Sequence, residues 1–145
     1  MSIIGNFTKI YTFKSSDNVL AFLMMRGVPN DKAVKWSKLK SGIDIIKEGN
    51  LFTIRRYRDI DEQSHDISFE LDKEFDETRP NGQTVRSIVV AGGNDGNQLI
   101  KTQLGDNETK FVYDFNDNKL VITGTYTSNG LQAQWIYTST KQLDN

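Results

Sequence analysis

From Gly42 to Thr140 the chain alternates apolar and polar residues in short runs separated by Gly, Asn and Asp. A period of two sends successive side chains to opposite faces, so each run reads as a strand with one face buried. The runs are Gly42–Lys47, Leu51–Arg58, His65–Leu71, a short one near Glu74–Glu77, Gln83–Ala91, Gln98–Leu104, Glu108–Phe115, Lys119–Thr127 and Leu131–Thr140. Between them stand Glu48-Gly49-Asn50, Gly92 to Asn97, Gly105-Asp106-Asn107, Asn116-Asp117-Asn118 and Ser128-Asn129-Gly130. Their glycines and asparagines supply the positive φ that tight hairpins need. Strands at this spacing predict an antiparallel up-and-down meander, and closing it into a barrel removes the exposed edges.

The pattern differs before Gly42. A strand over about Phe7 to Lys14 leads into Ser15, Ser16 and Asp17, which offer a helix cap. An apolar run through Val19, Phe22, Leu23, Met24 and Met25 ends at Gly27, so a short helix is expected. After Pro29, the stretch Lys32–Leu39 reads as a second helix. Ala33, Trp36 and Leu39 share one face; Lys32, Lys35 and Lys38 lie on another. The order is one strand, two helices and nine strands. A helix pair inserted after the first strand cannot lie in the sheet, so it caps an open end. A capped barrel of this size is a container for a small ligand.

The chain has 145 residues, enough for a single domain spanning 1–145. It has no cysteine, which excludes a disulfide scaffold, a thiolate zinc site and a cysteine nucleophile. A formal charge of -1 gives no case for nucleic-acid binding. The start Met1–Asn6 lacks a signal-peptide pattern, and no stretch approaches the roughly 20 apolar residues of a membrane span, so a cytoplasmic location is expected.

Asp114 to Asn118 is a poor calcium loop, because position six is Lys119 and position twelve Thr125. Gly92 to Gly96 joins two strands, with no following helix to hold a phosphate. His65 and Asp66 point to opposite faces and make no catalytic pair, and Asp59, Asp61 and Glu62 have no partner base. A protein that is not an enzyme, with no cofactor or metal, is expected.

The segment Asp66-Ile67-Ser68-Phe69-Glu70-Leu71-Asp72-Lys73-Glu74-Phe75-Asp76-Glu77-Thr78 closely resembles the fourth-to-fifth-strand signature of fatty-acid-binding proteins. Asn118 to Gly124 and Gln134-Trp135-Ile136-Tyr137 resemble that family's last two strands, and Ser15 to Asn18 with Gly27-Val28 the bounds of its first helix. The resemblance covers almost the whole chain. It implies a ten-stranded antiparallel up-and-down β-barrel (a β-clam) capped by a short helix-turn-helix lid. It also implies a fatty acid or related amphiphile inside, whose carboxylate usually meets two arginines and a tyrosine. Tyr137 matches the tyrosine. Trp135 and Tyr113 stand where the arginines are expected, and Lys9-Ile10-Tyr11 replaces a glycine-x-tryptophan.

If Tyr137 faces the cavity, alternation turns Trp135 and Ala133 inward and Gln134 and Ile136 outward. Phe111 and Tyr113 on the eighth strand, and Ile122, Gly124 and Tyr126 on the ninth, join them. Tyrosines and a tryptophan would give apolar walls with polar tips, suited to a ligand with one polar group. The family register also turns Arg56 and Arg58 inward beyond Phe52 and Ile54. Buried arginine is costly unless paired with an anion, so either is a candidate to replace the missing arginines; the alternative is pairing with Glu70, Asp59 or Asp61, or reaching water. His65 is the sole histidine and matches a cavity-lining position.

Val19, Phe22, Leu23 and Val28 correspond to portal positions. The lysines of the second helix, Lys40 included, suit transient docking on anionic membranes. The expected function is binding and transport of a long-chain fatty acid by a monomer. A neutral lipid (retinol-like, sterol or monoacylglycerol) is one alternative. A filled barrel working through its surface, toward a membrane or a protein, is the other.

Overall fold

The structure is a computed structural model describing residues 7–37, 41–58, 64–78, 82–93, 96–105, 108–116 and 118–139. In chain order the elements are β1 (Phe7–Asp17), α1 (Val19–Met25), α2 (Asn30–Ser37), β2 (Ser41–Glu48), β3 (Leu51–Arg58), β4 (Ser64–Glu70), β5 (Phe75–Thr78), β6 (Thr84–Gly92), β7 (Gln98–Gln103), β8 (Thr109–Asn116), β9 (Lys119–Tyr126) and β10 (Gln132–Ser139). One antiparallel sheet holds all ten strands in the order β4-β3-β2-β1-β10-β9-β8-β7-β6-β5. Pairing of β1 with β10 joins the two ends of the chain and curls the sheet into a nearly closed barrel. The expected fold and strand order are those observed.

The seam lies between β4 and β5, the two ends of the sheet. Aromatic rings bridge it. Phe52 of β3 stacks on Phe69 of β4 at 5.5 Å, and Phe69 stacks on Phe75 of β5 at 5.4 Å. The β4–β5 turn carries Asp72 in the left-handed region (φ 64), and its N–H bonds the Val89 carbonyl at 2.9 Å. The seam is thus bridged by rings where a backbone ladder is missing, and the turn that spans it is tied to β6 by one backbone bond.

The start of α1 departs from expectation. Ser15, Ser16 and Asp17 do not cap the helix, because pairing with Ile136, Trp135 and Gln134 of β10 extends β1 through Asp17 after an irregularity between Phe13 and Ser15. The chain turns at Asn18 (φ 60), which forms no side-chain cap; its Nδ2 donates to the Gln132 carbonyl at 2.7 Å and ties the helix entry to the barrel rim. At the other end Gly27 (φ 85) permits the closing bonds, its own N–H to Met24 and that of Val28 to Leu23, both 3.1 Å.

Helix α1 plugs the barrel mouth. Phe22 is 0% exposed, with its ring centroid 6.0 Å from Phe111, 5.3 Å from Tyr126 and 5.8 Å from Trp135. Beneath it lies Gly124, where a Cβ would stand 2.8 Å from Phe22 Cζ. A glycine there is what lets the ring sit so deep. Val19, Leu23, Val28 and Ala33 are also buried, while Lys32 and Lys35 are exposed. Lys38, Leu39, Lys40 and the Trp36 side chain lie outside the described residues. Among the described residues, no helix is long and apolar enough to cross a membrane.

Candidate functional site

The register places one residue set on the inner face all the way round. Phe52, Ile54 and Arg56 on β3 face inward opposite Ile45 and Ile43 of β2 and His65, Ile67 and Phe69 of β4. On β7, β8 and β9 the inward set is Leu99, Lys101, Gln103; Thr109, Phe111, Tyr113, Phe115; and Leu120, Ile122, Gly124, Tyr126. Ala133, Trp135 and Tyr137 complete it on β10. Gln134 is exposed and hydrogen-bonds Thr123 outside, as alternation from Tyr137 predicts.

Two polar groupings interrupt this apolar wall. On the β5–β7 side, Glu77 accepts from Lys101 Nζ at 2.6 Å, Ser87 Oγ at 2.9 Å and Gln103 Nε2 at 3.1 Å, all of them buried. Burial pushes the Glu77 carboxyl up, but the Lys101 ammonium and the bonds from Lys101, Gln103 and Ser87 outweigh it and hold the group below its ordinary value. Gln103 Oε1 in turn accepts from Arg26 Nη2 at 2.7 Å. Arg26 follows α1 directly, and its guanidinium lies over Phe22 at 5.5 Å and Phe111 at 5.1 Å. The lid and the far wall are therefore joined through one polar chain.

The second is Arg56 on β3, which lies within the fields of Tyr137 and Tyr113. Burial pushes the Arg56 guanidinium down, but the fields of Tyr137, Tyr113 and Glu77 outweigh it and leave it raised. Among the described residues no carboxylate stands at ion-pair distance from it; the neighbouring Arg55 instead pairs outward with Asp66 at 3.2 Å. Arg56 is half-buried on the inward face of β3. Tyr137, Tyr113 and Tyr126 are buried and Trp135 half-buried. Burial pushes the Tyr11 phenol, another inward group, up to about 12.

Tyr137, Tyr113 and Arg56 thus share the inward register, and Phe22, Tyr126 and Trp135 form a cluster under the lid. Val28 is buried at the end of α1. His65 has the inward register opposite Arg56 but is exposed at the unpaired edge of β4. Arg58 ends β3, opposite Ser41, with its side chain outside the described residues, as are Asp59 and Asp61.

Sequence reasoning missed Glu77, Lys101, Gln103, Ser87 and Arg26. The signal was present in the alternation Leu99-Lys101-Gln103, which puts a lysine in step with an apolar wall. A groove of about 260 Å³ lined by Lys47, Asn50, Phe52, Glu70, Leu71 and Lys73 lies near the β2–β3 and β4–β5 turns and includes neither polar grouping.

No family model matches the chain. It is 29% identical over 127 residues to a fatty acid-binding protein of Tyrophagus putrescentiae, covering 88% of this chain and 92% of that one. It is 26% identical over 122 residues to a fatty acid-binding protein of Lepidoglyphus destructor, covering 84% and 90%. The crystal structure of a Drosophila melanogaster brain fatty acid-binding protein superposes with a TM-score of 0.81 at 28% identity, over 90% of this chain and 96% of that one. A Schistosoma mansoni fatty acid binding protein in complex with arachidonic acid shares the fold, with a TM-score of 0.82 at 20% identity, over 93% and 96%. With the ten-stranded barrel and its helical lid, the chain is thus similar to fatty acid-binding proteins in sequence and in fold over almost its whole length.

Proposed function

We propose that the protein binds a long-chain fatty acid inside the barrel and transports it, as a carrier and not a catalyst. The observation that carries the reading is Arg56: an inward guanidinium within the fields of two inward tyrosines, with no carboxylate of the described residues at ion-pair distance. A ligand carboxylate supplies the missing anion, and the planar fork suits it. Tyr137 and Tyr113 add hydroxyl donors, and the alkyl chain lies against Ile54, Ile67 and Phe69, each buried CH₂ contributing about 0.8 kcal/mol before ordering costs. The relatives' names, and the arachidonic acid bound by the Schistosoma protein, support the ligand class. A charged interior argues against a retinol-like alcohol, a sterol or a monoacylglycerol.

Entry past the lid follows from the same reading. Leu20, Met24 and Met25 are 39%, 46% and 45% exposed on α1, near the exposed Lys32 and Lys35 of α2. An apolar stripe beside lysines suits transient contact with an anionic membrane by a cytoplasmic monomer.

One observation favours the filled barrel: Tyr11, Tyr126, Tyr137, Leu99, Leu120 and Ile122 are all less than 2% exposed or close to it, so the β7–β10 wall is tightly packed. Fatty-acid titration of Arg56→Gln against the outward control Arg55→Gln separates the readings. Loss of about ten- to a hundredfold in affinity for Arg56→Gln alone is expected, the value of charged hydrogen bonds. Equal affinity in both variants would overturn the headgroup assignment.

A further inference from the structure

Helix α1 is tied to the barrel at both ends, on opposite sides of the mouth. At its entry Asn18 Nδ2 donates to the Gln132 carbonyl of β10 at 2.7 Å. At its exit Arg26 Nη2 donates to Gln103 Oε1 of β7, also at 2.7 Å. Three strand spacings separate β10 from β7 in the sheet, about 14 Å around the wall. The seven residues of α1 rise about 10 Å, and the Arg26 side chain reaches across the rest.

Arg26 is 7% exposed and stands one helical turn beyond Phe22. Its guanidinium lies 5.5 Å from the Phe22 ring and 5.1 Å from the Phe111 ring, so plug and cation move as one. Gln103 is oriented to receive it. The Gln103 Nε2 donates to Glu77 Oε1 at 3.1 Å; a carboxylate only accepts, so the amide oxygen is left facing Arg26, which only donates. Lys101 and Ser87 hold Glu77 at 2.6 Å and 2.9 Å, which fixes the acceptor independently of the lid. The other polar tie at this end, Asn129 Nδ2 to Met25 Sδ at 3.1 Å, is exposed and meets a weak thioether acceptor.

We propose that α1 is a gate hinged on β10 at Asn18 and latched on β7 by the Arg26–Gln103 bond, which sets how often the mouth opens. A seven-residue helix is too short to hold itself in place, so its closure depends on such contacts. A charge-assisted bond of this kind favours the closed mouth by about ten- to a hundredfold. Because Arg26 acts on the gate and not on a bound molecule, it slows entry and exit alike. Passage of ligand through the gate rests on the proposed carrier function; the latching of α1 does not.

Arg26→Met keeps an unbranched apolar stem against Phe22 and Phe111 and removes the latch. Lys35→Met removes the same charge from an exposed position on α2 and serves as control. Native-state hydrogen exchange reads the gate at the amides of Phe22 and Val28, which bond the Asn18 and Leu23 carbonyls. Both should exchange about ten- to a hundredfold faster in Arg26→Met, with β8 and β9 unmoved, and at the parent rate in Lys35→Met. Stopped-flow uptake and release of oleate should both quicken by that factor, leaving Kd within about twofold of the parent. Arg26→Lys keeps a donor without the planar fork, so it should fall between parent and Arg26→Met, and it carries the same readings if the methionine variant fails to fold. Unmoved exchange at Phe22 and Val28 would overturn the latch. So would a Kd weakened through faster release alone, which would make Arg26 a ligand contact. A parent protein that takes up no oleate would overturn the carrier function instead, and the exchange rates would still decide the latch.

Discussion

Replacing Gly124 by alanine tests how the lid is held. The added Cβ would stand 2.8 Å from Phe22 Cζ and 3.0 Å from Phe111 Cε1. Carbon atoms rest about 3.5–4.0 Å apart, so roughly 0.7 Å of space must be opened. Phe22 is poorly placed to give way, since Phe111, Tyr126 and Trp135 surround it. Overpacking of this kind costs about 1–3 kcal/mol, and the lower chain entropy of alanine in the unfolded state returns about 0.4–1 kcal/mol. A net loss of about 1–2 kcal/mol is expected. Urea unfolding followed by tryptophan fluorescence measures it, with Trp135 beside the perturbed ring as a local reporter. Adding Phe22→Leu should relieve the clash, so the two changes should couple by about 1 kcal/mol in a double-mutant cycle. An alanine variant as stable as the parent, or strict additivity with Phe22→Leu, would refute the account of the lid.

Removing one half of the buried pair with Lys101→Met should cost about 3–5 kcal/mol, whereas Glu77→Gln/Lys101→Met together should cost far less; equal losses in chemical denaturation would mean the pair is not coupled. The Glu77 carboxyl is held below its ordinary value in the folded state, so its contribution is present above the unfolded value of about 4.3 and is lost as pH falls through the lower folded value. Acid unfolding curves should therefore lose that component in Glu77→Gln relative to the parent, and coincident pH dependence would contradict it. At the seam, Phe69→Leu breaks two stacked contacts and should cost about 1–2 kcal/mol, with amide exchange rising first in β4; uniform exchange changes would argue against a ring-closed seam.

The barrel was legible because strand alternation and turn residues agree along most of the chain. Gly49, Gly93, Gly105 and Gly130 all take the positive φ their turns require. Anchoring the inner face on Tyr137 was sufficient to place Trp135, Tyr113, Phe111, Ile122 and Tyr126 correctly, since a period of two fixes every side chain once one is fixed. The helix cap was misread because Ser15 to Asp17 satisfy two grammars at once, and the ladder to β10 took them. The Glu77 cluster stayed hidden for a different reason. Its members come from β5, β6 and β7, and only the sheet register shows that Lys101 and Glu77 meet across two strands. Arg26 carries no sequence signal beside Gly27, and only the structure shows its guanidinium turned onto Gln103.

Native mass spectrometry of protein purified without delipidation, followed by fatty-acid titration of the same sample, tests the central claim most directly. The account predicts a bound species with the mass of a fatty acid, or stoichiometric uptake of one on titration, weakened in Arg56→Gln and not in Arg55→Gln. A clean unliganded mass with no uptake at any concentration below micelle formation would contradict it and leave a filled barrel that works through its surface.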